Sequence, residues 1–311
     1  MIVALIGVMA GLANSVNLLV AYVVVSWTFQ KRRKAALSVV LMGSASGQML
    51  MPNFAAVLVN GVLWQGAVLV IGALLFLNCV PCGLVIYYSR HCFQKGDVVK
   101  LKSSRLVDLN CLSDVAFMVF LIAYISVLAF QSVESTFVVD MTVLKGFSAD
   151  SGATLMSIHG LVMTLVRGFA MIWLGIAPNT KLELHMIYIF LGLAASHIIV
   201  TESTVYLGMV MGIMMRGIFG GLAFAFIPGL QIDLRGLELF PQTTALCNCL
   251  GGGASMLGGF VGGLTFDITE SYNLVFYLAA GTSVLAAIAM VIVILVFRFR
   301  RNQNNLYEQL R

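Results

Sequence analysis

The sequence predicts an all-α polytopic membrane protein with about nine spanning helices. Three observations carry that class. Of 311 residues, 60% are hydrophobic and 10% charged, with a mean hydropathy of +0.99. A soluble domain carries about 25% charged residues, so too few are left here to solvate a globular surface. The apolar residues arrive in blocks of roughly 17 to 27, the length a helix needs to cross about 30 Å of hydrocarbon. No stretch alternates with period two over about ten residues, which argues against a membrane β-barrel.

In chain order the spans fall near 2–27, 35–59, 63–88, 113–139, 151–174, 184–201, 204–228, 241–266 and 273–297. Two connections are very short. They are placed at "NGVLWQG" (60–66) and at "TEST" (201–204), where Gly and polar residues cluster. The first helix begins at Met1 without a basic leader or a small-residue cleavage site, so it is not a cleavable signal peptide.

Basic residues set the orientation. Lys31, Arg32, Arg33 and Lys34 follow span 1. Arg90, Lys95, Lys100, Lys102 and Arg105 follow span 3, Lys181 follows span 5, Arg235 follows span 7, and Arg298, Arg300, Arg301 and Arg311 follow span 9. The remaining loops carry only Lys145. The expected topology is N-terminus outside and C-terminus cytoplasmic. The net charge of +5 then reflects topology signals against anionic lipid, with no nucleic-acid partner.

The chemistry-bearing motifs of enzymes are missing. GxxxxGK[ST], HExxH and GxSxG do not occur, so no enzyme activity, cofactor or metal is expected. Cys79 and Cys82, and Cys247 and Cys249, lie inside predicted spans and read as packing residues. His91 is the nearest further ligand to the first pair, and it already lies in the loop. "MGSASG" in span 2 and "GGGASMLGGFVGG" in span 8 space small residues by three and four, which lets helices approach closely.

The organisation expected is a partial helical bundle over 1–88, a polar cytoplasmic loop over 89–112, a six-helix bundle over 113–298 and a cytoplasmic tail over 299–311. "FQKRRKAALSVVLMGSASG" resembles the signature of the monocarboxylate transporters, solute carriers of the major facilitator superfamily. Phe29, Lys31, Arg32, Arg33, Ala36 and Gly43 fit it; Thr28, Ala35, Ser38, Val40 and Met42 depart from it. "GVLWQGAVLVIGALLFLNCVPCGLV" is similar to the family's sixth helix, with Gln65 in place of its usual Arg. "SADSGATLMSIHGLVMTLVRG" is similar to its eighth. "IDLRGLELFPQTTALCNCLGGGASMLGGFVGGLTFDITESYNLVFYLAAG" is similar to its tenth to twelfth. The resemblance implies a major facilitator fold in which these spans are equivalent to helices 4–12, with the first three absent.

Candidate site residues are the ionisable groups inside the spans, which are functional candidates by default. Arg167 lies in "LMSIHGLVMTLVRGF". It either snorkels to the cytoplasmic interface or faces a cavity and pairs with a substrate carboxylate through a forked hydrogen bond. The resemblance favours the second, because proton-coupled members hold an anion-contacting arginine here. Those members carry an aspartate four residues earlier, where this chain has Met163. His159, one further turn away, can titrate near neutral pH. Arg216 lies near the middle of span 7. Glu134 is placed near the outer end of span 4, so a direct Arg216–Glu134 pair would need tilt or a bridging water. Asn17, with Asn14 and Ser15, gives span 1 a polar spot, and Gln48 and Asn53 do so in span 2. Phe224 and Phe226 point to different faces of their helix.

The expected function is transport of a small monocarboxylate-like organic anion by alternating access, secondary active or facilitative. Proton coupling and an ancillary membrane subunit are compatible with the resemblance. The rival expectation is a truncated, non-transporting membrane protein that associates with other chains.

Overall fold

The computed structural model describes residues 11–29, 31–77, 87 and 114–309. The loop 89–112, Cys79, Cys82, His91 and the side chains of Asn14 and Asn53 lie outside the described residues. Every regular element among the described residues is a helix. They are α1 (Gly11–Thr28), α2 (Arg33–Leu77), α3 (Val115–Leu144), α4 (Ala149–Ile176), α5 (Leu182–Glu202), α6 (Tyr206–Arg235), α7 (Phe240–Thr269) and α8 (Asn273–Gln309). The last six contain the segments Val115–Leu144, Ala149–Ile176, Leu182–Glu202, Tyr206–Arg235, Phe240–Thr269 and Asn273–Phe299, each long and apolar enough to cross a membrane.

The chain divides into two compact units, one of residues 1–49 and 108–311, the other of residues 50–107. In the second unit the described chain is helical from Leu50 to Leu77. Residues 60–66, read from sequence as a connection, belong to that helix. Gly61 and Gly66 each weaken a helix by about 1 kcal/mol relative to Ala but do not stop it, and the segment holds no proline or charge.

In the first unit, local signals set the helix ends. Asp114 caps α3 by accepting from the Ala116 backbone N–H at 3.1 Å. Ser148 caps α4 by accepting from Ser151 N–H, and Asp150 in the first turn suits the helix dipole. Gly236, at φ 78°, ends α6, and α7 then opens with a proline in its first turn. Lys145, just beyond α3, caps the C-terminus of α5. Its Nζ donates to the carbonyls of Val200, Thr201 and Ser203 at 2.8, 2.6 and 2.9 Å. Burial pushes its ammonium pKa down, opposed by the nearby Glu202 carboxylate.

Packing is dense where small residues allow it. α5 lies against α6 and α8, α3 against α7 and α8, and α4 against α6. Along the glycine-rich α7, one face meets α3: Gly251 faces Leu128, Gly258 the Ala129 backbone, and Gly262 Val133. A Cβ at Gly258 would run into the Ala129 carbonyl. Gly252, Gly253, Gly259 and Gly263 have nothing within 4 Å. In "MGSASG" Gly43 and Gly47 also have nothing within 4 Å among the described residues, whereas Ala45 is buried. α2 instead approaches α4 at Gly160, whose absent Cβ would lie 2.8 Å from the Met49 backbone.

Of the three apolar clusters among the described residues, the two larger fill the bundle. One joins Phe117, Phe120, Phe190, Leu193, Phe226 and Met290 with their neighbours. The other joins Val138, Met141, Leu155, Val200, Met209, Ile213 and Phe276. On α3, α5 and α6 the stretch between the two clusters carries ionisable residues.

Candidate functional site

That layer consists of Glu134 on α3, His159 on α4, His197 on α5 and Arg216 on α6, all buried. Glu134 lies ten residues before the end of α3 at Leu144, and Arg216 ten residues after the start of α6 at Tyr206. His159 lies ten residues after the start of α4 at Ala149. These ends share one side of the bundle, where Tyr206 Oη donates to the Ser151 carbonyl at 3.2 Å. The three side chains therefore sit at one depth.

Arg216 and Glu134 form a direct ion pair through Nε and Oε2. The expectation that tilt or a water would be needed is corrected. It took α3 to end near 139, but the helix runs on to Leu144 and so places Glu134 deeper. His197 Nδ1 approaches the same Oε2 at 3.0 Å. Sequence reasoning missed His197, because a lone His in "AASHIIV" looks like packing. The other half of the Arg216 guanidinium is also engaged: Nη2 donates to the Gln131 carbonyl at 3.2 Å and to Ser135 Oγ at 3.3 Å. Nη1 lies 3.2 Å from His159 Nε2. His159, placed on sequence grounds near Arg167, thus pairs with Arg216.

Arg167 is buried at 1% exposure, so it does not snorkel to the interface. Its Nη1 donates to the Leu41 carbonyl and to Ser44 Oγ, the latter at 2.6 Å. Its Nη2 lies 3.1 Å from Met163 Sδ, one turn back on the same helix. Its Cζ stands 5.0 Å from the centre of the Phe224 ring, a cation–π placement. All these partners are neutral. Among the described residues the ion pairs are Lys34–Asp233, His197–Glu134, Arg216–Glu134 and Arg235–Asp114, and Arg167 is in none of them. Its Nε has no hydrogen-bond partner among the described residues.

A pocket of about 180 Å³ lies between the two arginine clusters. It is lined by Gln48 of α2, Leu128, Gln131, Ser132 and Ser135 of α3, His159 and Met163 of α4, Phe224 of α6 and Ser255 of α7. Met163 and Phe224 are also the residues against which Arg167 rests. Phe226, two residues on, is buried in the apolar core, so the two rings do face apart as expected. Asn17 is exposed on α1 and makes none of the contacts of this cluster. Cys247 is buried and Cys249 exposed, and neither is in a disulfide among the described residues. Among the described residues no group of three metal-ligating side chains converges.

Close helix approach positions the pocket wall. Gly217 and Gly221 of α6 pack on the α4 backbone at His159 and Met163. At the opposite end of the bundle, Lys34 pairs with Asp233 at 2.6 Å and Arg235 with Asp114 at 3.4 Å.

No protein-family model matches the chain. It is 24% identical over 297 residues to monocarboxylate transporter 3 of Rattus norvegicus, covering 92% of this chain and 59% of that protein. It is 24% identical to monocarboxylate transporter 4 of Rattus norvegicus, covering 92% and 62%, and 26% identical to monocarboxylate transporter 6 of Mus musculus, covering 88% and 63%. The chain thus spans about three fifths of the length of these relatives. In structure it is similar to the E. coli fucose:proton symporter, with a TM-score of 0.66 at 11% identity over 88% of this chain and 72% of that one. An outward conformation of that major facilitator transporter gives 0.62 at 12% identity, over 88% and 71%. The sequence relatives are transporters and not enzymes. With six membrane-length apolar helices among the described residues, the chain is an integral membrane protein of the major facilitator fold and a homologue of the monocarboxylate transporters.

Proposed function

We propose that the chain serves the transport of small organic anions across a membrane by alternating access, secondary active or facilitative, with Arg167 as the carboxylate-binding cation. One observation carries the reading: among the described residues a guanidinium buried in the bundle is held by neutral groups alone, and it touches Met163 and Phe224, which line a pocket of mixed polar and apolar character. A buried charge without a counter-charge is costly. A carboxylate entering the pocket supplies that counter-charge through a two-pronged hydrogen bond. Arg216 differs, because Glu134 already neutralises it.

The pocket suits a small anion with an apolar part against Phe224, Leu128 and Met163 and polar groups toward the serines and glutamines. The similarity to monocarboxylate transporters supports the same substrate class. Met163 cannot ionise, so a proton travelling with the anion would not be carried in the turn before Arg167. The basic cluster of Lys31, Arg32, Arg33 and Lys34 joins α6 through Asp233, at the end of the bundle that the positive-inside rule assigns to the cytoplasm. The plasma membrane is the proposed site of action, with an ancillary membrane subunit as a partner.

The test is uptake of a panel of radiolabelled organic acids by cells expressing the chain, at two external pH values, with surface expression measured. Saturable uptake of a monocarboxylate above that of control cells is expected. Uptake equal to controls for every acid, at normal surface expression, overturns the reading.

A further inference from the structure

His159 meets Arg216 on one side and the pocket on the other. Its Nε2 stands 3.2 Å from Nη1 of Arg216. A guanidinium has only donors, so the imidazole accepts there. Nε2 then carries no proton, and the ring N–H is on Nδ1. The ring lines the pocket, and Nδ1 is the nitrogen left to serve a ligand. Arg216 is fixed in turn by the Glu134 carboxylate, the Gln131 carbonyl and Ser135 Oγ.

We infer that Glu134 and Arg216 are positioning residues that hold His159 in its Nδ1–H tautomer, and that His159 offers this N–H to an acceptor on the transported anion. The inference rests on the anion-carrier reading and deepens it, because it adds a second recognition point. Met163, which touches the Arg167 guanidinium, is four residues from His159, about 6 Å along α4. A carboxylate held at Arg167 therefore has the His159 donor on the order of 6 Å away. An anion that uses both carries a carbonyl or hydroxyl oxygen about three to five bonds from its carboxylate carbon, at about 1.5 Å per bond. An alkyl acid of the same size fills the pocket but leaves the donor unpaired, which is expected to weaken binding by about tenfold.

The experiment measures the affinities of 4-oxopentanoate and hexanoate, which have equal numbers of heavy atoms, for the purified chain in lipid nanodiscs. The wild-type protein is expected to favour 4-oxopentanoate by about tenfold. His159→Leu should weaken 4-oxopentanoate binding about tenfold more than hexanoate binding, and Arg167→Gln should weaken both. The tautomer is read separately from nitrogen-15 shifts of histidine-labelled wild-type protein. The chain has four histidines, and the signal lost in His159→Leu identifies the one concerned. Glu134→Gln should mix the His159 tautomers, a change that simple loss of packing does not produce. Equal wild-type affinities, a preference that survives His159→Leu, or a proton on His159 Nε2 overturns this inference and leaves anion capture by Arg167 standing. Failure of both acids to bind the wild-type chain overturns the anion reading and this inference together.

Discussion

Glu134 and Arg216 meet in a buried ion pair midway through the bundle, while Arg167, equally buried, has only neutral partners. The two arginines therefore respond differently to loss of charge. Arg216 is part of a closed network that includes His159 and His197. Arg167 keeps a positive charge that no described residue answers.

Glu134→Gln removes the counter-charge and leaves Arg216 buried and unpaired. Breaking such a pair from one side costs about 3–5 kcal/mol. Thermal unfolding of the purified protein should show a large drop in midpoint for Glu134→Gln. The double variant Glu134→Gln, Arg216→Gln should recover part of it, as coupled sites do in a double-mutant cycle. Additive losses would mean the two side chains do not interact.

Gly258→Ala should destabilise the α3–α7 contact, because the new methyl meets the Ala129 carbonyl. Overpacking of this kind costs about 1–3 kcal/mol. Gly259→Ala, with nothing within 4 Å, should leave the unfolding midpoint near that of wild type. Equal effects of the two would place the seam elsewhere.

Lys145→Met removes the ammonium that caps three carbonyls at the end of α5. Leaving part-buried acceptors unpaired costs about 1–3 kcal/mol. The expected readout is faster hydrogen exchange in the last turn of α5 and a lower unfolding midpoint. Unchanged exchange there would remove Lys145 from that role.

Met163→Asp places a titratable group one turn from Arg167 on the pocket wall. Uptake by the variant should depend more steeply on external pH than uptake by wild type. The check compares initial rates at two pH values, normalised to surface protein. An unchanged profile would mean that this turn does not face the transport path.

The membrane class was legible because composition and block length answer directly to the bilayer. Arg167, Arg216, Glu134 and His159 stood out because a charge in an apolar run needs a partner. What the partner is depends on contacts between helices far apart in sequence, such as Ser44 with Arg167 or His159 with Arg216. Periodicity along one helix does not encode these. The apolar block alone sets Glu134 too close to the helix end, because α3 continues through "VVDMTVL" beyond that block. Glycines with polar neighbours usually mark loops, as "NGVLWQG" suggests, yet the segment stays helical. Polarity alone marks Asn17 as a candidate, and its side chain is exposed on α1.

Arg167→Lys tests the central claim most directly. Lysine keeps the charge but offers a point ammonium instead of a planar fork. If Arg167 captures the carboxylate, uptake of the best monocarboxylate found for wild type should fall at least about tenfold, the scale of one lost charge-assisted hydrogen bond, with surface expression unchanged. Wild-type uptake by Arg167→Lys at equal surface expression would contradict anion capture by this residue.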